Sequence, residues 1–315
     1  MNCIPFENGL CQTWNELVRT SKNGTFLFER EYMDYHAERF TDASLLFFSG
    51  SKCVGLLPAN FVAGEQTICS HGGLTYGGLV LPKHASAADV GEMLRLAFEH
   101  YAALGARRFV CKPVPAIYHS YPADEQLYWL FRHGARLTAR GLSSAVDLAA
   151  PLPLSTLRKR KIKHAQSAGI QLIETASLEE FWNILSDVLQ ERHGVHPVHT
   201  LAEISLLQSR FPQNIRLFGA GKDGRLLGGT LVFETERVAH AQYIAANAEG
   251  RENGALDLLF GALLERYAKH ATIKYFDFGI STEDDGKILN DGLLFQKEGF
   301  GGRGITYDVY ECEIS

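Results

Sequence analysis

The sequence lacks the features that would place it in a membrane, in a secretory pathway or on nucleic acid. No apolar run approaches the roughly 20 residues of a membrane-spanning helix, and the first ten residues, MNCIPFENGL, do not resemble a secretion signal. The six cysteines form no CxxC pair, which argues against a zinc or disulfide framework. The net charge of −5 gives no general attraction to DNA or to an anionic membrane. We therefore expect a cytoplasmic protein with reduced cysteines.

The length and composition are those of an ordinary globular chain. At 315 residues the chain is longer than one hydrophobic core usually holds, and its 46% of hydrophobic residues is typical of soluble domains. Pro151 and Pro153 interrupt the pattern of helices and strands near the middle, as an extended linker does. The sequence thus predicts two domains, 1–150 and 151–315.

The two halves repeat the same order of predicted elements. Hydrophobic periodicity predicts helix, hairpin, strand, helix and strand in each half. The first set is 29–40, 44–57, 66–70, 88–104 and 108–113, and the second is 201–211, 215–233, 238–245, 256–270 and 273–278. This repeat predicts an α/β fold with mixed sheets, built from two diverged copies of one unit.

The second copy resembles the cofactor half of the GNAT acyltransferase fold. The segment Arg251-Glu252-Asn253-Gly254-Ala255 partly matches the family pattern Q/R-x-x-G-x-G/A, although Leu256 departs from the last position. In that family this loop and the following helix N-terminus hold the pyrophosphate of acetyl-CoA, because free backbone N–H groups and the helix dipole attract an anion. The resemblance therefore implies that Arg251, Asn253 and Gly254 bind the donor.

Two further segments resemble the FemAB/FemX-like branch, which adds aminoacyl groups to peptidoglycan precursors. LRKRKIKHAQSAGI at 157–170 resembles its helix–strand entry, and FDFG…LN-x-GL-x-x-x-KE-x-FG at 276–301 resembles its closing segment. Gln296 stands where that branch usually has phenylalanine, and the second half has no inserted helical arm. The resemblance implies no tightly bound cofactor. It leaves acyl-CoA and aminoacyl-tRNA open as co-substrates, with tRNA less favoured because the chain is acidic.

Three residues are candidates for catalysis in such a reaction. Lys297 could stabilise the oxyanion of an acyl transfer, as the resemblance implies, or lie exposed on the last helix. Asp277 could orient an acceptor amine or act as its base, or it could be a structural carboxylate that pairs with a nearby arginine. Tyr243 could donate to a leaving thiolate or to a carbonyl, or be a half-buried core residue.

Four residues are candidates for binding the acceptor. His71 and Tyr76 belong to the glycine-rich SHGGLTYGG, which fits either a ligand-contacting loop or a tight structural crossover. Arg158, in the basic stretch, could bind phosphate or be solvated. His199 ends the motif HGVHPVH, whose glycine and proline favour a loop over a metal site. This segment is either an acceptor-side loop in which His199 forms a hydrogen bond or a plain loop.

Together these observations predict an acyltransferase with a cleft between two GNAT-like domains. The second domain would bind the acyl donor, the first would help to hold an amine of a cell-envelope, sugar-linked or peptide-linked acceptor, and a final strand, 306–314, could return to the first domain. The alternative is a non-catalytic GNAT-fold protein that recognises a glycan or peptide precursor. A tandem fold that has lost its donor site would give the same pattern.

Overall fold

The structure is a computed structural model that describes residues 1–173 and 176–314. The side chain of His193, in the histidine motif, also lies outside the described part. The chain divides into two units, of which the first comprises Met1–Leu142, Thr282–Ile288 and Thr306–Ser315. The second comprises Ser143–Ser281 and Leu289–Ile305.

Both helices and strands occur in each half of the described chain. Up to residue 150 they are β1 Asn2–Pro5, α1 Cys11–Thr20, α2 Arg30–Met33, β2 Thr41–Asp42, β3 Leu45–Ser49, β4 Lys52–Leu57, β5 Asn60–Phe61, β6 Thr67–Cys69, α3 Ala87–Ala103, β7 Arg108–Cys111, α4 Glu125–Arg132 and β8 Arg136–Asp147. After residue 150 they are α5 Thr156–Ser167, β9 Gln171–Ile173, α6 Leu178–His193, α7 Leu201–Arg210, β10 Ile215–Lys222, β11 Arg225–Glu234, β12 Val238–Ala246, α8 Ala248–Asn253, α9 Ala255–Tyr267, β13 Tyr275–Ile280, β14 Thr282–Glu283, β15 Ile288–Leu289, α10 Asp291–Gly299 and β16 Arg303–Glu313.

The first unit is built around a strand–helix–strand motif. Strands β6 and β7 pair in parallel and are joined by α3, and β16 pairs antiparallel with β7 through residues 310–313. Strands β1, β3 and β4 form a separate antiparallel sheet. One face of α3, with Val90, Leu94 and Phe98, is buried in a core that includes Phe47 and Phe109.

The predicted helix 29–40 is mostly wrong. The α-helix there stops at Met33, and a 3-10 segment follows that is broken at His36, which has φ −127° and ψ 25°. The buried ring of His36 reaches back through Nδ1 to the carbonyl of Met33 at 2.6 Å. This local side-chain bond competes with a continuous helical hydrogen-bond ladder and ends the helix early.

The second unit has the same strand–helix–strand motif in a larger sheet. Strands β10, β11 and β12 are antiparallel, β13 pairs in parallel with β12, and residues 143–147 of β8 pair antiparallel with β13. Helices α5 and α9 cover one face, where Phe260, Phe276, Phe278 and Phe300 form an aromatic core. Helix α6 packs on β11 and β12, with Trp182 against a tyrosine of β12.

The repeated order confirms the mixed α/β fold predicted from the sequence. A parallel strand pair connected through one long helix occurs in each unit, as β6–α3–β7 and as β12–α9–β13. Among the described residues, the helices fall short of the length and apolar character required to cross a membrane.

Candidate functional site

The sheet of the second unit opens between β12 and β13. Their parallel pairing covers three residues on each strand and ends at His240 and Asp277, although β12 continues to Ala246. A bulge lies in the register of β12 against β11, and another irregularity between Asp277 and Ile280 interrupts the pairing of β13 with β8. Diverging strands expose backbone donors and acceptors, which must then find other partners.

A cavity of about 400 Å³ lies at this opening. It is lined by basic side chains, by apolar side chains and by the backbone at the start of α9. The basic group is Arg158, Lys161, Arg192, Arg251 and Lys297; the apolar group includes Ile244, Phe260, Phe278, Leu293, Phe295 and Phe300. The combination suits a ligand with an anionic part and an apolar part.

The N-terminus of α9 is open towards ligands because it starts at a glycine. Gly254 has φ +76° and no side chain to cap the helix, whose first N–H groups have no partner within the helix. A Cβ at this position would lie 3.1 Å from the carbonyl oxygen of Lys161. Glycine is therefore favoured here both by the left-handed backbone and by the close approach of α5. An uncapped helix N-terminus beside several cations favours an anion.

Arg158 is held in the cavity wall by a buried ion pair. Its Nη1 donates to Oδ1 of Asp257, and both side chains are 7% exposed. The guanidinium lies 5.5 Å from the centre of the Phe300 ring, and its Nε is buried with no partner in the described part of the chain. Burial raises the pKa of the Asp257 carboxyl, and Arg158 opposes that shift. Arg158 is thus fixed in place rather than solvated.

The other two predicted donor-binding residues differ in their positions. Arg251 lines the cavity and donates through Nη1 to the carbonyl of Ala246 at 2.9 Å. Asn253 instead donates to the carbonyl of Glu249 at 2.9 Å, at the end of α8. Arg251 is thus placed to meet an anion, and Asn253 closes its own helix.

Lys297 is buried at the opening between the two strands. Its Nζ donates to the carbonyls of Gly279 and Ile280, both at 2.7 Å, in the irregular part of β13. The residue is 4% exposed and lines the cavity. Burial lowers the pKa of its ammonium to about 8, and the carboxylate of Asp277 limits that decrease. The ammonium is therefore a fixed donor at the cavity floor.

Asp277 lies on the opposite face of β13 from the aromatic core. Its carboxylate is fully buried and accepts hydrogen bonds from the hydroxyl of Ser143, from Nδ1 of His240 at 2.9 Å and from the N–H of Gly279 at 3.1 Å. These partners satisfy most of its acceptor capacity. The carboxylate itself is consequently shielded from direct contact with a ligand.

Tyr243 and His199, predicted for separate roles, are in direct contact. The Tyr243 hydroxyl lies 2.6 Å from Nδ1 of His199, and its ring packs edge-on against Trp182. Burial raises the pKa of the tyrosine to about 12, so the hydroxyl stays protonated at neutral pH. Tyr243 and His240 lie on the same face of the sheet. Their partners in β11 are two positions apart, on either side of the core residue Val232, and strand alternation puts residues two positions apart on one face.

His71 and Tyr76 lie in the first unit and are both buried. The Tyr76 hydroxyl donates to Oγ1 of Thr25 at 3.2 Å, and its ring packs against Phe28 and Tyr118. His71 has a left-handed backbone with φ +67°, and burial lowers the pKa of its imidazole to about 3. Its Nδ1 has no partner within the described residues.

Three residues of this site were not singled out from the sequence: Arg192, His240 and Asp257. Arg192 and Asp257 are close in space to a basic stretch that is distant in sequence. His240 could have been noticed as a polar residue on a mostly apolar strand, but its partner is 37 positions away. In the described part of the chain, no group of three or more His, Cys, Asp or Glu residues could hold a metal ion.

Residues 156–285 match the family model of the acetyltransferase (GNAT) domain. This part of the chain is therefore similar to a GNAT domain. The match runs from the start of α5 through β14, and so contains the open N-terminus of α9. The similarity to this family supports a general acyltransferase role. No curated protein sequence matches the chain significantly.

Solved structures extend the likeness to the whole chain. FemX is similar with a TM-score of 0.72 and 12% identity, covering 99% of this chain and 97% of its own. L-PGS from Bacillus licheniformis has a TM-score of 0.60 at 12% identity, with 97% and 91% covered. A tandem GNAT protein from the clavulanic acid biosynthesis pathway has a TM-score of 0.54 at 16% identity, with 99% and 98% covered. The chain therefore has the tandem GNAT fold, as the sequence predicted.

Proposed function

We propose that this GNAT protein transfers an acyl group from acyl-CoA to the amine of an acceptor. The observation that carries the proposal is the cavity of the second unit, which joins an uncapped helix N-terminus and a group of cations to an apolar, opened sheet edge. Acyl-CoA has the same two parts, an anionic pyrophosphate and a long, largely uncharged arm that ends in the thioester.

The donor phosphates would lie at the start of α9. The backbone N–H groups after Gly254 and the side chains of Arg251 and Lys161 would bind them. Arg158, held by Asp257 and Phe300, would add a charge whose position is fixed. The arm of the donor would then follow β12 where its pairing with β13 has ended, using backbone groups of that strand.

Lys297 would stabilise the charge that develops on the thioester oxygen. An amine that attacks a thioester forms a tetrahedral oxyanion, and a pre-positioned donor there lowers the barrier. Two N–H groups of Lys297 are already directed to the carbonyls of Gly279 and Ile280, which leaves the third for the reacting oxygen. Tyr243, which stays protonated and lies on β12, could donate to the leaving thiolate.

For the acceptor we propose an amine on a cell-envelope, sugar-linked or peptide-linked molecule. The support is the resemblance of segments 157–170 and 276–301 to the FemAB/FemX-like branch, together with the shared fold of FemX. We place acceptor binding on the side of Tyr243 and His199, and we propose that His71 and Tyr76 of the first unit have a supporting role. We also propose domain limits near 1–150 and 151–315, with the last strand returning to the first domain.

Thermal unfolding with candidate donors tests the function. A ligand that binds the native state raises the melting temperature by mass action. We expect acetyl-CoA or a longer acyl-CoA to stabilise the protein, and the variant Arg251→Met to reduce the effect. Stabilisation by aminoacyl-tRNA alone would make tRNA the donor. Stabilisation by none of these donors would contradict the acyltransferase and favour the non-catalytic binding protein.

A further inference from the structure

A histidine–carboxylate pair lies where the sheet opens. Nδ1 of His240 is 2.9 Å from Oδ2 of Asp277, and these two residues form the last paired position of β12 and β13. A carboxylate accepts only, so Nδ1 carries the proton and the other ring nitrogen, Nε2, has its lone pair free in the neutral ring. The carboxylate thus fixes both the tautomer and the orientation of the imidazole.

The pair is rigid on one side and accessible on the other. Asp277 is completely buried and is anchored by Ser143 and by the N–H of Gly279. His240 keeps 12% of its side chain exposed, enough for a small group to reach one edge of the ring. Such an arrangement allows His240, but not Asp277, to meet a substrate.

His240 and Lys297 lie on either side of one glycine. A Cβ built on Gly279 would be 3.5 Å from Cε1 of His240, and the carbonyl oxygen of Gly279 accepts from Nζ of Lys297. Strand alternation puts His240 on the face opposite to the aromatic core, whereas Lys297 lines the donor cavity. An imidazole and an ammonium therefore border the sheet opening at the same point of β13.

We propose that His240 is the general base that deprotonates the acceptor amine, with Asp277 as its positioning residue. This inference rests on the proposed acyl transfer. Nε2 of His240 takes one proton from the acceptor ammonium, and the neutral nitrogen forms a C–N bond with the thioester carbon. The C–S bond breaks, Tyr243 gives its proton to the thiolate to form the CoA thiol and takes up the second amine proton in return, and His240 releases its proton to water. The substrate class is thus an amine that is protonated at neutral pH.

Transfer to two simple acceptors distinguishes a general base from a residue with only a structural role. Ethylamine is an ammonium ion at neutral pH and needs a base, whereas hydroxylamine is largely uncharged there and does not. With acetyl-CoA as donor, we expect His240→Gln to lose on the order of 10²-fold in transfer to ethylamine and less than threefold in transfer to hydroxylamine. Glutamine can still donate to Asp277 but cannot take up a proton. Equal losses with both acceptors, or no loss with ethylamine, would overturn the proposal.

Controls separate this inference from the proposed function. His84→Gln changes an exposed histidine of the first unit and should leave both transfers unchanged. If His240→Gln unfolds, His240→Asn provides the same test. A wild type that acetyl-CoA does not stabilise contradicts the donor site and the base with it. A wild type that is stabilised, with His240→Gln equally active on ethylamine, contradicts only the base.

The positioning role of Asp277 has its own readout. We expect Asp277→Asn to reduce kcat for ethylamine while the thermal shift with acetyl-CoA and the transfer to hydroxylamine are retained. A residue that only supports the fold would reduce all three together, and that result would overturn the positioning role.

Discussion

The corresponding long helices of the two units begin in opposite ways. Helix α3 of the first unit starts at Ser86, whose side chain and that of Asp89 form a reciprocal capping box. Helix α9 of the second unit starts at Gly254, which has no capping side chain. The capping box of α3 occupies N–H groups at the helix start with side-chain acceptors. Helix α9 also has an aspartate in its first turn, Asp257, but the carboxylate of Asp257 is paired with Arg158. The same framework is therefore closed in one unit and open in the other.

The two units also differ in the helix that comes after the strand–helix–strand motif. In the first unit, α4 inserts Gln126, which accepts from the N–H of Leu79 and donates to Sγ of Cys111 at 3.1 Å. In the second unit, α10 inserts Lys297, which binds two carbonyls beside a cavity. At this position of the motif the first unit has a neutral amide, whereas the second has a buried cation. We infer that the second unit contains the chemistry.

The largest effect should come from breaking the ion pair of the second unit. Arg158→Met leaves the carboxylate of Asp257 buried without its partner, and we expect unfolding in denaturant to become easier by about 3–5 kcal/mol. The matched change in the first unit, Lys22→Met, removes a cation whose partner Glu125 has 25% of its side chain exposed. The resulting loss of unfolding free energy should be smaller than that of Arg158→Met. Equal losses would mean that the two ion pairs contribute equally to stability.

Lys297→Met should remove catalysis while preserving the fold. Losing one donor to a developing oxyanion typically lowers kcat by about 10²–10³-fold. Melting temperature should change little, because methionine fills a similar volume and a buried charge is removed. Lys287→Met changes a lysine that is 68% exposed and should leave turnover unaffected. Unchanged turnover in Lys297→Met would exclude the lysine from the reaction.

The lowered pKa of Lys297 predicts a stability difference that depends on pH. The folded protein releases this proton near pH 8, whereas an unfolded lysine holds it to 10.5. Between those values the unfolded state binds more protons, so the free energy of unfolding rises with pH. Relative to Lys297→Met, the wild type should gain up to roughly 3 kcal/mol between pH 8 and 10.5. A flat difference in urea titrations would show that the ammonium is not desolvated.

The smallest effects test the two helix starts directly. Gly254→Asp places a carboxylate at the start of α9. The matched control is Gly254→Asn, because asparagine tolerates a left-handed backbone as aspartate does but has no charge. Relative to this control, Gly254→Asp should weaken acetyl-CoA binding by about tenfold or more. In the first unit, Ser86→Gly should lower stability by only a few tenths of a kcal/mol and leave donor affinity unchanged. Calorimetric titration gives the affinities. Equal affinities for the Asp and Asn variants would argue against phosphate at this helix.

Much of the framework could be predicted from the sequence, because it depends on local patterns. Hydrophobic periodicity indicated the repeated order, and the residues around Gly254 and Lys297 carried recognisable motifs. The contacts that complete the site are not local. The pairing of His240 with Asp277 requires the register of two strands, and the contact of Tyr243 with His199 joins a strand to a loop 44 positions away. The break at His36 depends on a buried ring that periodicity does not reveal.

Hydrogen–deuterium exchange with and without acetyl-CoA tests the contrast between the units most directly. We expect the donor to slow exchange in α8, in the first turn of α9 and in α10, where the open helix start and Lys297 lie. The first turn of α3, closed by Ser86 and Asp89, should exchange at the same rate with and without donor. Protection at α3, or no protection at α9, would contradict a donor site in the second unit.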